Sequence, residues 1–227
     1  MSHPWFANYP KSVPQEVDVD SFKNLVELFE NSFKLYRDRP AFTCMGKTIT
    51  YGELDHLSLA FGAYLQKSLG LRKGDRIAIQ LPNVLQYPIA LYGALRAGLI
   101  VVNTNPLYTP REMKHQFTDA GVKAVVILAN FAHNLEKIFE ETGIQHVIVT
   151  ELGDQLGFLK GNIVNFVVKK IKKMVPDFRL PKAVSFRKTL LVGRLQHLDP
   201  AQIESSDTAF LQYTGGTTGV AKGAVLT

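Results

Sequence analysis

Short apolar runs separated by helix-length stretches constrain this chain more than any other feature. DRIAIQL (75–81), LIVVNTN (99–105), KAVVIL (123–128) and QHVIVT (145–150) are runs of strand length. They are nearly continuous in apolar residues rather than alternating, as strands buried on both faces are. Segments of ten or more residues with helical character lie between them. Strands alternating with helices of that length argue an α/β fold, a parallel sheet flanked by helices. No internal repeat of fixed period interrupts the pattern.

Local signals set the expected elements. From Ser21 to Asp38 the apolar residues Phe22, Leu25, Val26, Phe29, Phe33 and Tyr36 recur at i, i+3, i+4, i+7, an amphipathic helix stopped by Pro40. AFTC and KTITY read as a hairpin around Met45-Gly46. Thr50 with Glu53 three residues on is a capping box, opening a helix that reaches about Leu69. Asn83 is placed to cap the helix that runs to Ala97. NPLYTPREM is a turn followed by a helix from Pro110, and NFAHNLEKIFEE is a further helix. DTAFLQY is a strand, and GAVLT has the composition of another.

Apolar residues at 46% and charged residues at 20% place the chain among globular proteins rather than disordered ones. Residues 1–20 form an extended lead-in without the apolar core of a secretory signal. No run approaches the length of a membrane span. The lone Cys44 excludes an intrachain disulfide, fits a reducing cytoplasm and reads as a small buried apolar residue. The six histidines show no i, i+4 pairing, which argues against a metal centre built on them.

The net charge of +6 is concentrated. Between Gln155 and Arg194 ten Lys/Arg stand against one acid, Asp177, whereas the rest of the chain has sixteen basic and nineteen acidic residues. This stretch largely overlaps 157–200, which reads as a basic insertion into the α/β pattern. Taken as a helix, residues 163–175 place Ile163, Val164, Val167, Val168, Ile171, Met174 and Val175 within an arc of about 140°. Asn162, Asn165, Lys169, Lys172 and Lys173 lie opposite. Such a helix over 161–175 suits the interface of an anionic membrane. It equally suits an ordinary helix packed on the core with its lysines in water. No aromatic stacking platform points to nucleic acid.

The segment carrying chemistry is Tyr213-Thr214-Gly215-Gly216-Thr217-Thr218-Gly219-Val220-Ala221-Lys222-Gly223-Ala224. Glycines let the backbone approach a ligand closely. Successive N–H groups converge on an anion, threonine hydroxyls add donors and can ligate Mg²⁺, and Lys222 adds a compact positive charge. Ala221 before Lys222 excludes the Walker A order, and GxGxxG is absent. Asn105, Pro106, Tyr108 and Thr109 sit where polar residues often line sites in α/β sheets, but two prolines favour a rigid turn there.

YTGGTTGVAKG resembles the phosphate-binding signature of the adenylate-forming superfamily, with Gly215 where Ser is usual and Ala221 where Pro is usual. LPNVLQYPIALYGALRAGLIVVNTNPLYTPREMKHQ (81–116), NFAHNLEKI, GDQLG and NFVVKKIKKMVPDF are similar to the bacterial long-chain fatty acid–CoA ligase branch of the acyl-CoA synthetases. The resemblance extends over essentially the whole chain. It implies that residues 21–227 are part of an N-terminal AMP-binding domain, with a phosphate-binding loop at 213–224 and the C-terminal domain absent. It further implies ATP, Mg²⁺ and coenzyme A as cofactors, a long-chain fatty acid as substrate, Thr214 as a Mg²⁺ ligand, and a cytoplasmic enzyme in peripheral contact with the inner face of the membrane. The family's other site residues lie downstream of the loop, so no complete catalytic set is expected within 1–227, nor activity from this piece alone. An incomplete sheet predicts self-association, as a homodimer, or a rearranged terminus near the loop. Two other functions fit the residues: adenylation of a different carboxylic acid, and a non-catalytic membrane-surface module.

Overall fold

A computed structural model describes residues 3–18, 20–180, 182–214 and 221–227. The lead-in is not wholly extended, since Pro4–Asn8 forms a 3-10 turn. Helix α1 (Leu25–Leu35) begins later than Ser21 because the Asn24 side chain accepts the Glu27 N–H at 3.0 Å, while Glu27 accepts the Lys23 N–H at 2.8 Å. Strands β1 (Pro40–Cys44) and β2 (Lys47–Thr50) form the expected hairpin. The Thr50–Glu53 capping box then opens α2 (Tyr51–Lys67), its two hydrogen bonds measuring 3.1 and 2.8 Å. Cys44 is only half-buried, with Sγ facing the Asn83 carbonyl at 3.5 Å.

Strand β3 (Arg76–Gln80) leads to α3 (Gln86–Arg96). Asn83 does not cap it: Val84 and Leu85 first turn into the core, and the helix starts without a side-chain cap. Strand β4 (Ile100–Asn103) leads to α4 (Pro110–Asp119), which has a second capping box, Thr109 with Glu112, and Pro110 in its first turn. Strand β5 (Val122–Leu128) follows. The single helix expected of NFAHNLEKIFEE is broken into a 3-10 turn (Ala129–Phe131), the short α5 (Ala132–Glu136) and a second 3-10 turn (Phe139–Glu141). Ala132, Leu135 and Ile138 are its buried residues toward the sheet.

After β6 (His146–Thr150), the segment read as an insertion continues the α/β pattern. Helix α6 (Phe158–Phe166) runs into a π-helical turn (Val167–Ile171), and a two-residue strand β7 (Val184–Ser185) feeds α7 (Phe186–Gly193). Strands β8 (Phe210–Thr214) and β9 (Lys222–Leu226) end the sequence of elements. The main sheet has the order β7-β6-β5-β3-β4-β8-β9. All pairings are parallel except β8–β9, which is antiparallel, so the sheet is mixed at that side.

Alternate residues of the central strands divide the core in two. Ile77, Ile79, Val101, Ala124, Val126 and Ile148 face α1, α2, α3 and α7, where Phe29, Phe61, Ile89 and Phe186 pack. Ala78, Val102, Val125, Ile127 and Val147 face α4 and α5, against Met113, Phe117 and Leu135. Phe186 is fully buried and stacks on Phe61 with ring centroids 5.1 Å apart, so α7 belongs to the main core.

The basic segment also differs from expectation. Gly161, Val164, Asn165 and Val168 turn inward, while Ile163, Ile171 and Met174 are exposed. The cause is a backbone contact. A Cβ on Gly161 would stand 2.2 Å from the Gly153 carbonyl oxygen, so only glycine allows this approach. Asn165 is held in that contact, accepting the Gly153 N–H at 2.7 Å and donating to Asp154 at 3.3 Å. No helix among the described residues is long and apolar enough to cross a membrane.

Candidate functional site

The strand pairs Tyr213–Gly223 and Thr214–Lys222 bring the two arms of the Gly/Thr loop together as an antiparallel hairpin. Gly215, Gly216, Thr217, Thr218, Gly219 and Val220, all expected in the phosphate site, lie outside the described residues. Thr214 and Lys222 stand opposite each other at the hairpin mouth, both exposed. Directly paired residues share one face of the sheet. A hydroxyl and an ammonium are thus presented side by side, a donor set for an anion. Ala224 is exposed further along the return arm.

Tyr213 and Gly223 occupy the other face, toward α4. Tyr213 is 8% exposed and packs in the cluster with Met113 and Phe117. A Cβ on Gly223 would meet its ring at 2.9 Å, so Gly223 is required by the ring's close approach. The Tyr213 hydroxyl donates to Asp119 Oδ2. Burial pushes the Tyr213 phenol well above its ordinary pKa of 10.0, and Asp119 pushes it further, so it stays a neutral donor. On the return arm, His115 Nε2 lies 3.1 Å from the Ala221 carbonyl oxygen. A carbonyl only accepts, so Nε2 carries the proton in this contact.

The hairpin borders a cleft of about 400 Å³ at the carboxyl ends of β3, β4 and β8, lined among others by Tyr87, Asn103, Tyr108 and Gln212. The chain leaves β4 toward one side of the sheet and β8 toward the other, the divergence at which open α/β sheets form crevices. A row of amides and one phenol organises the cleft. Tyr87 donates to Asn103 Oδ1 at 2.9 Å, and Asn103 Nδ2 donates to Gln212 Oε1 at 3.0 Å. Gln116 Nε2 donates to the Asn103 carbonyl at 3.0 Å.

The stretch 105–109 is the rigid turn that its prolines suggest. Asn105 Oδ1 accepts the Leu107 N–H at 3.0 Å, and Thr109 is occupied in capping α4. Asn105 and Tyr108 nevertheless line the cleft. Sequence reasoning missed Asp119, His115 and the Tyr87–Asn103–Gln212 row. Only the i, i+4 spacing of His115 and Asp119, which puts them on one face of α4, was a signal. Among the described residues no three His, Cys, Asp or Glu side chains converge as a metal cage.

Similarity to known proteins agrees with this fold. The chain is 57% identical over its whole length to a long-chain-fatty-acid–CoA ligase of Salmonella typhimurium, 58% to one of Yersinia pestis and, over 99% of its length, 35% to one of Bacillus subtilis. It spans about 40% of the length of these curated relatives. Among solved structures, the anthranilate CoA ligase AuaEII in complex with anthranoyl-AMP aligns at a TM-score of 0.71 and 20% identity, over 89% of this chain and 34% of that one. A long-chain-fatty-acid–CoA ligase from Archaeoglobus fulgidus aligns at 0.66 and 20% identity, over 90% and 36%. At that identity the likeness is one of fold. The family model described as AMP-binding enzyme matches residues 29–227, most of the chain, and the chain belongs to that family.

Proposed function

We propose that this chain is the N-terminal part of a ligase that activates long-chain fatty acids with ATP and passes them to coenzyme A. The observation that carries the reading is the hairpin mouth, where Thr214 pairs with Lys222, in a chain so similar to long-chain-fatty-acid–CoA ligases. In the first half-reaction a fatty carboxylate oxygen bonds to the α-phosphorus of ATP and pyrophosphate leaves. In the second, the coenzyme A thiol sulfur bonds to the acyl carbon and AMP leaves. Lys222 and the Thr214 hydroxyl would hold the β- and γ-phosphates, offsetting the charge that builds as pyrophosphate departs. Magnesium suits this arrangement: Thr214 offers one hard oxygen at the mouth, and the bound cation would neutralise phosphate charge.

Pyrophosphate exchange into ATP tests the proposal, using the complete open reading frame and acids from acetate to oleate. Exchange that requires a long-chain acid, and falls at least tenfold in Thr214→Ala and Lys222→Ala, is expected. Exchange driven only by short or aromatic acids would assign a different substrate, and none with any acid would overturn the reading.

Peripheral membrane contact at the inner face is the second element of the proposal. Phe158 is 84% and Leu159 73% exposed, and Ile163, Phe166, Ile171 and Met174 are exposed beside Lys169, Lys170, Lys172 and Lys173. Aromatic and aliphatic side chains among lysines match an anionic bilayer interface. Changing the four lysines to Glu should abolish co-sedimentation with anionic vesicles, and unchanged co-sedimentation refutes the contact. A homodimer is proposed through β9, the outer strand, whose Val225 and Leu226 are exposed. Light scattering that gives a monomer mass at high concentration excludes it.

A further inference from the structure

We propose that α4 sets the position of the phosphate-binding hairpin, with Asp119 and His115 as positioning residues for the nucleotide phosphates. This rests on the ATP-dependent reading above. The hairpin is poorly supported by the sheet: β8 pairs with β4 only through Phe210, Leu211 and Gln212. Among the described residues, β9 pairs only with β8. Tyr213, Thr214, Lys222 and Gly223 therefore overhang the end of β4. Beyond the apolar packing of Tyr213 and Ala221, each overhanging arm has one polar tie to α4. Tyr213 is tied to Asp119 on the outgoing arm, and the Ala221 carbonyl to His115 on the return arm. The two anchors are four residues apart on one helix face, so α4 spans the hairpin like a bracket. The Tyr213 ring lies against Gly223, which couples the arms to each other. Thr214 and Lys222 are each covalent neighbours of a tied residue, so the bracket fixes the distance between hydroxyl and ammonium. A displacement of about 1 Å in such a pair costs on the order of 100-fold in rate.

The test uses the complete protein with Asp119→Leu, Tyr213→Phe and the double variant, and with His115→Leu. Pyrophosphate exchange should fall at least tenfold, with the change in kcat and in KM for ATP while KM for the fatty acid stays within twofold. The double variant of Asp119 and Tyr213 should be no worse than the poorer single variant, because both remove one bond. Asp119→Asn, which keeps an acceptor oxygen, and His115→Gln, which keeps an N–H donor, should restore activity to within about threefold of wild type. Independently of activity, amide hydrogen exchange in the nucleotide-free Asp119→Leu protein should accelerate in 210–214 and 222–226 and not in β3 or β5. Variants that match wild type in both measurements, or an Asn variant as impaired as Leu, overturn the inference. A wild-type protein without exchange for any acid overturns the underlying functional reading instead, and the hydrogen-exchange comparison still decides whether α4 holds the hairpin.

Discussion

Phe186→Ala tests whether the basic stretch is an appendage or part of the core. Phe186 is fully buried and stacked on Phe61, with α7 packed across α2. Truncating such a ring to a methyl group removes its transfer free energy and leaves a cavity, about 3–5 kcal/mol in total. Of that, about 0.5–1.5 kcal/mol belongs to the ring pair itself. A domain of this size has a total stability of roughly 5–15 kcal/mol. The melting temperature should fall by about 8–16 °C, taking about 4 kcal/mol and 2–4 °C per kcal/mol. Urea unfolding followed by far-ultraviolet circular dichroism measures the change, with Leu191→Ala as control. Leu191 is on the same helix but 63% exposed, and its truncation should stay within about 0.5 kcal/mol. If Phe186→Ala also cost less than about 1 kcal/mol, α7 would not be integral to the fold and the packing argument would fail.

Two further outcomes follow from particular contacts. Gly161→Ala should destabilise the protein by about 1–3 kcal/mol in urea and speed proteolysis at Lys169–Lys173, because the new Cβ collides with the Gly153 backbone; wild-type stability and cleavage rates would refute the contact. Burial holds the pKa of His146 below its ordinary 6.5, so its neutral form favours the folded state. The unfolded chain then binds more protons, and the contribution of His146 is complete above pH 6.5 and lost as pH falls through that value toward its folded pKa. His146→Gln should flatten the decline of urea midpoints between pH 7 and 5, and parallel declines in the two proteins would contradict this.

Elements governed by neighbouring residues were legible in the sequence. The Thr50–Glu53 box, the hairpin at Met45-Gly46 and the buried strands each depend on residues a few positions apart, and each stands where its pattern put it. Asn83 misled because a cap-forming residue caps only if the chain turns helical at once, and burial of Val84 and Leu85 intervenes. Residues 163–175 misled for a related reason. Hydrophobicity alone put Ile163 and Met174 on one face with Val164 and Val168, whereas the Gly153–Gly161 approach and the Asn165 hydrogen bonds set the rotation of the helix and separate them. The Gly/Thr loop was conspicuous in the sequence because its signal lies in consecutive positions. Its anchors were not, because Asp119 and His115 meet residues 94 and 106 positions later.

The same separations order the assembly of the site in time. The β3–β4–β5 core and α4 are all complete in sequence by Leu128, while Tyr213 follows Asp119 by 94 residues. At a synthesis rate of about 5–20 residues per second, Asp119 precedes its partner by roughly 5–20 s. During that interval the α4 face that later receives the hairpin is open to solvent, and Met113 and Phe117 lack the cover of the Tyr213 ring. The hairpin strands therefore close onto a sheet and a helix face that precede them in the chain.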